Sequence, residues 1–254
     1  MQTDNFFSVP RESVNTSAGV VELPILYHRL ELLLAFFLVD AVASAELLPG
    51  KLCQPVRLPF QKSVAGLAFY RYDETSVGSY NEVGLALAAL PAEVTSSPFS
   101  LLDLFRPAVD RNLGFYIVDL PVTTERANAA GREIWGYPKF VTDLPLLFGS
   151  QFYGEVKDPQ GKNICTLEGP LRQGISLPAF DLVTYTQLGD QRIRTHVDVR
   201  GQFSYAMGDM VLHLGESTHG MAEHLRQLNL SGARPFLVAH STNWQSRLNK
   251  GNNS

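Results

Sequence analysis

Apolar and polar positions alternate in short runs along this chain, and turn residues bound most of the runs. That period of two is the mark of half-buried strands. From Val20 to Val39 the branched and leucine-rich pattern predicts strand, interrupted at Pro24. The only candidate membrane segment, Leu30 to Val39, falls well short of the ~20 residues a spanning helix needs and is read as a buried strand. Asp40 is placed to cap a short helix through Leu48, which Pro49-Gly50 stops. Val64 to Tyr72 and Glu82 to Leu90 predict two more strands joined by a loop containing Gly78, and Gly114 to Leu120 predicts another that ends at Pro121. Thr123 to Ala130 has the composition of a short helix, with Thr124 as cap and Gly131 as stop. Further strands are expected at Phe140 to Leu147, Gln151 to Val156, Ile164 to Glu168, Leu182 to Gln187 and Ile193 to Phe203. Asp158-Pro159-Gln160-Gly161 and Leu188-Gly189-Asp190 mark turns between them. Ser217 to Leu228 is helix-like, and Pro235 to His240 predicts a last strand.

This order predicts an α+β chain, mostly antiparallel sheet closing into a barrel-like cavity with a few flanking helices. A sandwich would give similar alternation and ranks second. With 254 residues and 45% hydrophobic content the chain is long enough for one large core. The boundaries drawn are an N-terminal arm at 1–20, a single domain at 21–248 and a polar tail at 249–254. A net charge of −4 offers no general attraction to phosphate backbones, so nucleic acid is not an expected partner. Cys53 and Cys165 stand far apart without metal-ligand spacing, and the N-terminus lacks a basic stretch leading into an apolar core. A reduced, cytoplasmic setting without membrane attachment is the expectation.

One segment carries chemistry. Gly131-Arg132-Glu133-Ile134-Trp135-Gly136-Tyr137-Pro138-Lys139-Phe140 places a lysine among aromatic neighbours straight after a turn. A lysine amine attacks a carbonyl only when deprotonated, and removal from water disfavours the ammonium. Trp135, Tyr137 and Phe140 are candidates for an apolar wall, and Pro138 restricts Tyr137 to extended geometry, which gives the lysine a defined direction. Arg132 and Glu133 are read as a structural ion pair or as residues that orient the loop. Elsewhere the motifs are negative. His213, His219, His224 and His240 make no known ligand box, no glycine run is a phosphate loop, and no Gly-x-Ser-x-Gly elbow accompanies the serines. No metal and no cofactor are expected.

The stretch GREIWGYPKF resembles the Gly-Arg-Glu to Tyr/Phe-Pro-Lys motif of the acetoacetate decarboxylase family, whose lysine forms a Schiff base with a ketone and is the known instance of an activated amine. Lys139 falls on that lysine. Asp73-Glu74-Thr75-Ser76-Val77-Gly78-Ser79-Tyr80-Asn81-Glu82 resembles the family segment that carries a pocket glutamate, so the resemblance implies that role for Glu82. A weaker match runs from Tyr27-His28-Arg29 to Leu47-Leu48-Pro49, and the likeness covers most of residues 20–245. It implies the barrel-like fold, a homo-oligomer, catalysis by Lys139 and Glu82, and a substrate pocket drawing on Arg29, Tyr137, Phe140 and Trp135.

Two departures bear on activity. Phe140 stands where the founding decarboxylases have a second lysine, and an ungapped alignment sets Leu30, one place after Arg29, where the family holds a substrate carboxylate with arginine. A further family carboxylate aligns with Leu67. The reading is a Schiff-base lyase that decarboxylates a β-keto acid such as acetoacetate. The alternatives are a lysine-dependent aldolase or dehydratase on a 2-oxo acid, and a non-catalytic small-molecule binding protein.

Overall fold

The computed structural model describes residues 5–253. The chain opens with a hairpin of β1 (Glu12–Thr16) and β2 (Gly19–Leu23). The long β3 (Ile25–Asp40) follows and ends where Asp40 turns its carboxylate onto the amides of Val42 and Ala43. That cap satisfies free N–H groups at the start of α1 (Ala41–Glu46). Next come β4 (Cys53–Pro55), β5 (Lys62–Thr75) and β6 (Tyr80–Pro91), the last two joined by a turn in which Gly78 adopts φ +98°. β7 (Gly114–Asp119) leads to α2 (Glu125–Trp135). Beyond the lysine segment run β8 (Leu146–Leu147), β9 (Gln151–Lys157), β10 (Asn163–Pro170) and β11 (Ile175–Pro178). They are followed by β12 (Leu182–Leu188), β13 (Gln191–Arg200), β14 (Gln202–Ala206) and β15 (Val211–Leu214). The chain finishes with α3 (Gly220–Gln227), β16 (Leu237–Ser241), β17 (Gln245–Leu248) and β18 (Asn252–Asn253).

The pairings close a ring. β3 pairs with β5, β5 with β6, β6 with β7, β7 with β12, β12 with β13, β13 with β17, and β17 returns to β3. All are antiparallel except the short β7–β12 pair. Alternation then decides what each strand offers to the two faces. On β5, Gly66, Ala68, Tyr70 and Tyr72 turn into the ring, while Ala65 and Phe69 turn outward. A second sheet, in the order β15-β10-β9-β8, covers that outer face. Phe69 meets Phe152 edge to face at 5.3 Å, and Leu33, Leu85, Leu167 and Leu212 are fully buried in the same cluster. Each such side chain contributes roughly 1.5–3 kcal/mol of burial. No helix among the described residues is long and apolar enough to cross a membrane.

Several expected boundaries move, each for a local reason. α2 runs through Gly131 to Trp135, and the stop is Gly136, whose φ of +67° is the left-handed geometry that glycine adopts without strain. The expected strand from Phe140 to Leu147 reduces to Leu146–Leu147 and a single bridge from Val141 to Val122, since Pro138 and Pro145 cannot donate to a ladder. The run Ile193 to Phe203 breaks at Gly201, φ +120°, into β13 and β14. The last helix starts at Gly220 and not at Ser217, and His219 is its cap: its Nδ1 accepts from the Met221 amide at 3.2 Å. Of the expected arm, residues 1–4 lie outside the described residues; the rest includes β1, and the Ser17 amide donates to Glu133 of α2 at 3.0 Å. In the tail, Asn252 and Asn253 pair with Arg194 and Ile193, and Ser254 lies outside the described residues.

Candidate active site

The lysine is delivered by backbone geometry. After Gly136 turns the chain out of α2, Tyr137 and Lys139 are held by a tight turn in which the Lys139 amide donates to the Tyr137 carbonyl at 2.7 Å. The segment Leu120 to Val122 then ties it to the ring: Leu120 N donates to Pro138 O at 3.2 Å, Val122 N to Phe140 O at 2.9 Å, and Val83 N to Pro121 O at 3.0 Å. Lys139 is thereby hung opposite β6. Arg132 adds a contact from its guanidinium to the Lys139 carbonyl at 3.3 Å. Glu133 instead holds Ser17 of the N-terminal hairpin, so of these two charged residues it is Arg132 that contacts the lysine loop.

Across from the lysine stands Glu82, brought inward by its place on β6 opposite Tyr70. Lys139 Nζ lies 2.6 Å from Glu82 Oε2, and both residues are 7% exposed. Tyr72 donates its hydroxyl to Glu82 Oε1 at 3.2 Å. Paired this way, two buried charges avoid the cost that either would carry alone. Tyr80 and Tyr137 present their rings to the ammonium at 5.8 and 5.9 Å, close enough for cation–π attraction. The tyrosine hydroxyls form their own links, Tyr27 with Tyr80 at 3.2 Å and Tyr137 with Thr184 at 3.0 Å. Burial pushes the Tyr137 phenol up to about 12, and burial followed by the nearby Glu82 carboxylate raises Tyr70 and Tyr72 further. These hydroxyls stay protonated and serve as donors.

The pair faces a cavity of about 150 Å³ inside the ring. Cross-strand neighbours shape it. Moving away from Glu82, the inward pairs of β5 and β6 are Ala68 with Gly84 and then Gly66 with Ala86, all small, so the space continues between Leu34 and Phe36 of β3 and Phe115 and Ile117 of β7. Among the described residues that line it, Lys139 is the one cation and Glu82 the one carboxylate.

Of the residues singled out in the sequence, Lys139, Glu82 and Tyr137 meet at this cavity. Trp135 is fully buried behind the lysine, donating its indole N–H to Asn249 O at 2.9 Å. It lines only a small hollow around the lysine stem. Phe140 points the other way and packs on His219 at 4.3 Å, so it is not a wall of the cavity. Arg29 is exposed: the irregular register between Tyr27 and Leu30 leaves Tyr27 and Leu30 buried and sends Arg29 to solvent. A bulge re-aims side chains in this way, and it separates Arg29 from the lysine. Residues the sequence did not single out do line the cavity, namely Tyr27, Tyr70, Tyr72, Trp244 and Ser246. The period-two alternation around Glu82 could have flagged Tyr70 and Tyr72, whereas nothing local marks Trp244 or Ser246.

One group could be compared with a metal site. Asp181, His196 and Asp198 bring ligand atoms within 4.8 Å of one another. Their partners are already within the protein, since Asp198 is bound by Arg247 and Asn249, and Asp181 by the Val199 amide.

A ring of strands around a buried lysine–glutamate pair defines a protein of the acetoacetate decarboxylase-like fold. The family model described as acetoacetate decarboxylase matches residues 8–189, and the chain belongs to that family. Solved structures agree in fold. An acetoacetate decarboxylase from Legionella pneumophila is 17% identical with a TM-score of 0.62, covering 99% of this chain and 94% of its own. Another acetoacetate decarboxylase is 17% identical with a TM-score of 0.63, over 91% of this chain and 89% of that one. The enduracididine biosynthesis enzyme MppR, complexed with pyruvate, is 11% identical with a TM-score of 0.63 over 93% of each chain. No curated protein matches the sequence.

Proposed function

We propose that this protein is a carbon–carbon lyase that works through an imine of Lys139. The observation that carries the reading is the 2.6 Å contact between Lys139 and Glu82 at the wall of a largely apolar cavity. Glu82 takes one proton from the Lys139 ammonium, the neutral amine attacks the substrate carbonyl, a second proton passes from nitrogen to oxygen to give the carbinolamine, and Glu82 returns the first proton to the carbinolamine hydroxyl, which leaves as water. The resulting iminium is the electron sink. With a β-keto acid the bond to the carboxylate breaks, its electron pair flows toward the iminium, and carbon dioxide and an enamine form. Protonation of the enamine carbon and hydrolysis release the ketone and restore the amine. Family membership supports this reaction, with a small β-keto acid such as acetoacetate as substrate.

A second reading is favoured by the placement of Arg29 outside the cavity. The same iminium cleaves or forms an aldol-type bond, in which no carboxylate is lost from the substrate. Borohydride reduction in the presence of acetoacetate and of pyruvate, with carbon dioxide measured in parallel, separates the two. An adduct at Lys139 with gas release supports decarboxylation, and an adduct without gas supports the aldol reading. No adduct with any carbonyl compound contradicts both and leaves binding alone.

A further inference from the structure

The cavity holds two buried polar groups without partners. Trp244 and Ser246 are 4% and 1% exposed, both line the cavity, and neither the Trp244 Nε1–H nor the Ser246 Oγ makes a hydrogen bond among the described residues. Their positions are set by the fold. Ser246 lies on β17 opposite Tyr27 of β3, and Trp244, two residues earlier, takes the same face with its ring 6.1 Å from that of Tyr70. A buried donor left without a partner keeps its desolvation penalty uncompensated, and of the buried side-chain atoms without partners these two belong to residues that line the apolar cavity.

We propose that Trp244 Nε1 and Ser246 Oγ form the subsite that holds a second oxygen of the substrate, in place of the guanidinium that Arg29 does not bring. The inference rests on the imine reading, in which the first oxygen leaves from the carbon attached to Lys139. Both groups donate, and both are neutral, so the shared chemistry they recognise is an oxygen acceptor: the ketone oxygen of a 1,3-dicarbonyl compound or the carboxylate of a β-keto acid. A charged acceptor enters at a cost here, because Lys139 and Glu82 already pair and no other cation lines the described cavity. The body that carries the two oxygens is apolar and small. Leu, Ile and Phe side chains around ~150 Å³ suit a molecule of about the bulk of benzene, and the observed cavity has that size and that lining.

The test compares 2,4-pentanedione, acetoacetate and 2-pentanone as probes of the wild-type protein and the Trp244→Phe and Ser246→Ala variants. Trp244→Phe keeps a ring against Tyr70 and Ser246→Ala keeps the strand, and unfolding midpoints without ligand verify that both fold. Affinity is read from the ligand-induced rise in unfolding midpoint, and imine formation separately from borohydride trapping at Lys139. Each variant lowers the preference for 2,4-pentanedione over 2-pentanone about three- to tenfold, the loss of one neutral hydrogen bond. A matching loss for acetoacetate assigns the subsite to carboxylates as well, and a loss confined to the dione assigns it to neutral acceptors. An unchanged preference in both variants overturns the subsite. Failure of trapping in the wild type, with the preference still dependent on Trp244 and Ser246, overturns the imine reading and leaves the subsite standing.

Discussion

Gly131 and Lys139 lie so close that a Cβ on residue 131 would stand 2.5 Å from Lys139 Cδ and 3.2 Å from its Nζ. Helix α2 therefore lays its bare backbone on the lysine stem, and the absence of a side chain at one position fixes the direction of another. A glycine inside a helix normally costs about 1 kcal/mol against alanine, and here its place is explained by the stem it admits.

Gly131→Ala consequently inverts the usual sign. Helix propensity alone would add about 1 kcal/mol of stability, whereas forcing the buried lysine aside costs about 1–3 kcal/mol, so the variant is expected to be less stable. Urea unfolding checks the sign, and a slowed rate of imine trapping checks the displacement of Nζ.

Glu82→Gln preserves size and the contact with Tyr72 but cannot take the proton from the amine. The expected loss is about 10²–10⁴ in kcat, the range for a removed general base, with a smaller change in KM. A variant that retains full turnover in steady-state assays would remove Glu82 from the chemistry.

Arg29→Ala should leave KM for any keto acid within about twofold and stability within about 0.5 kcal/mol, since the side chain sits in solvent outside the cavity. A large rise in KM confined to carboxylate substrates would mean that Arg29 reaches the cavity after all.

The ring carries one acid-sensitive clamp. Arg192 of β13 grips Glu93 with two bonds of 2.8 and 3.0 Å, and this hydrogen bonding holds the Glu93 carboxyl down to about 2. A carboxyl with a lowered folded pKa contributes stability above its unfolded value near 4.5, and that contribution is lost as the pH falls toward 2. Because Glu93 is 65% exposed, solvent screening limits it to about 1 kcal/mol. Glu93→Gln should abolish that part of the acid dependence of the urea midpoint, and carboxyl NMR should place the Glu93 titration near 2.

What could be read in the sequence follows from how locally each feature is encoded. Asp40 and Thr124 cap their helices where expected, because a cap depends on the side chain and the next three amides alone. That Lys139, Glu82 and Tyr137 come together was legible through two segments, one that carries Glu82 and one that carries Tyr137 and Lys139, and all three line the cavity. Arg29 and Phe140 were not, since a bulge in one case and a turn in the other reverse the direction of a side chain without altering composition. Trp244 and Ser246 reach the cavity only because β17 closes the ring between β3 and β13, and its pairing with β3 joins residues more than two hundred apart in sequence. Short strands such as Ile175–Pro178, exposed along their whole length, carry no alternation to detect.

The most direct test is borohydride reduction of the protein with acetoacetate, followed by peptide mapping. The imine mechanism predicts a single reduced adduct on Lys139, absent from Lys139→Arg, because arginine cannot form the imine. Full turnover of the substrate with no adduct on Lys139, or an equal adduct on exposed lysines of both proteins, would contradict it.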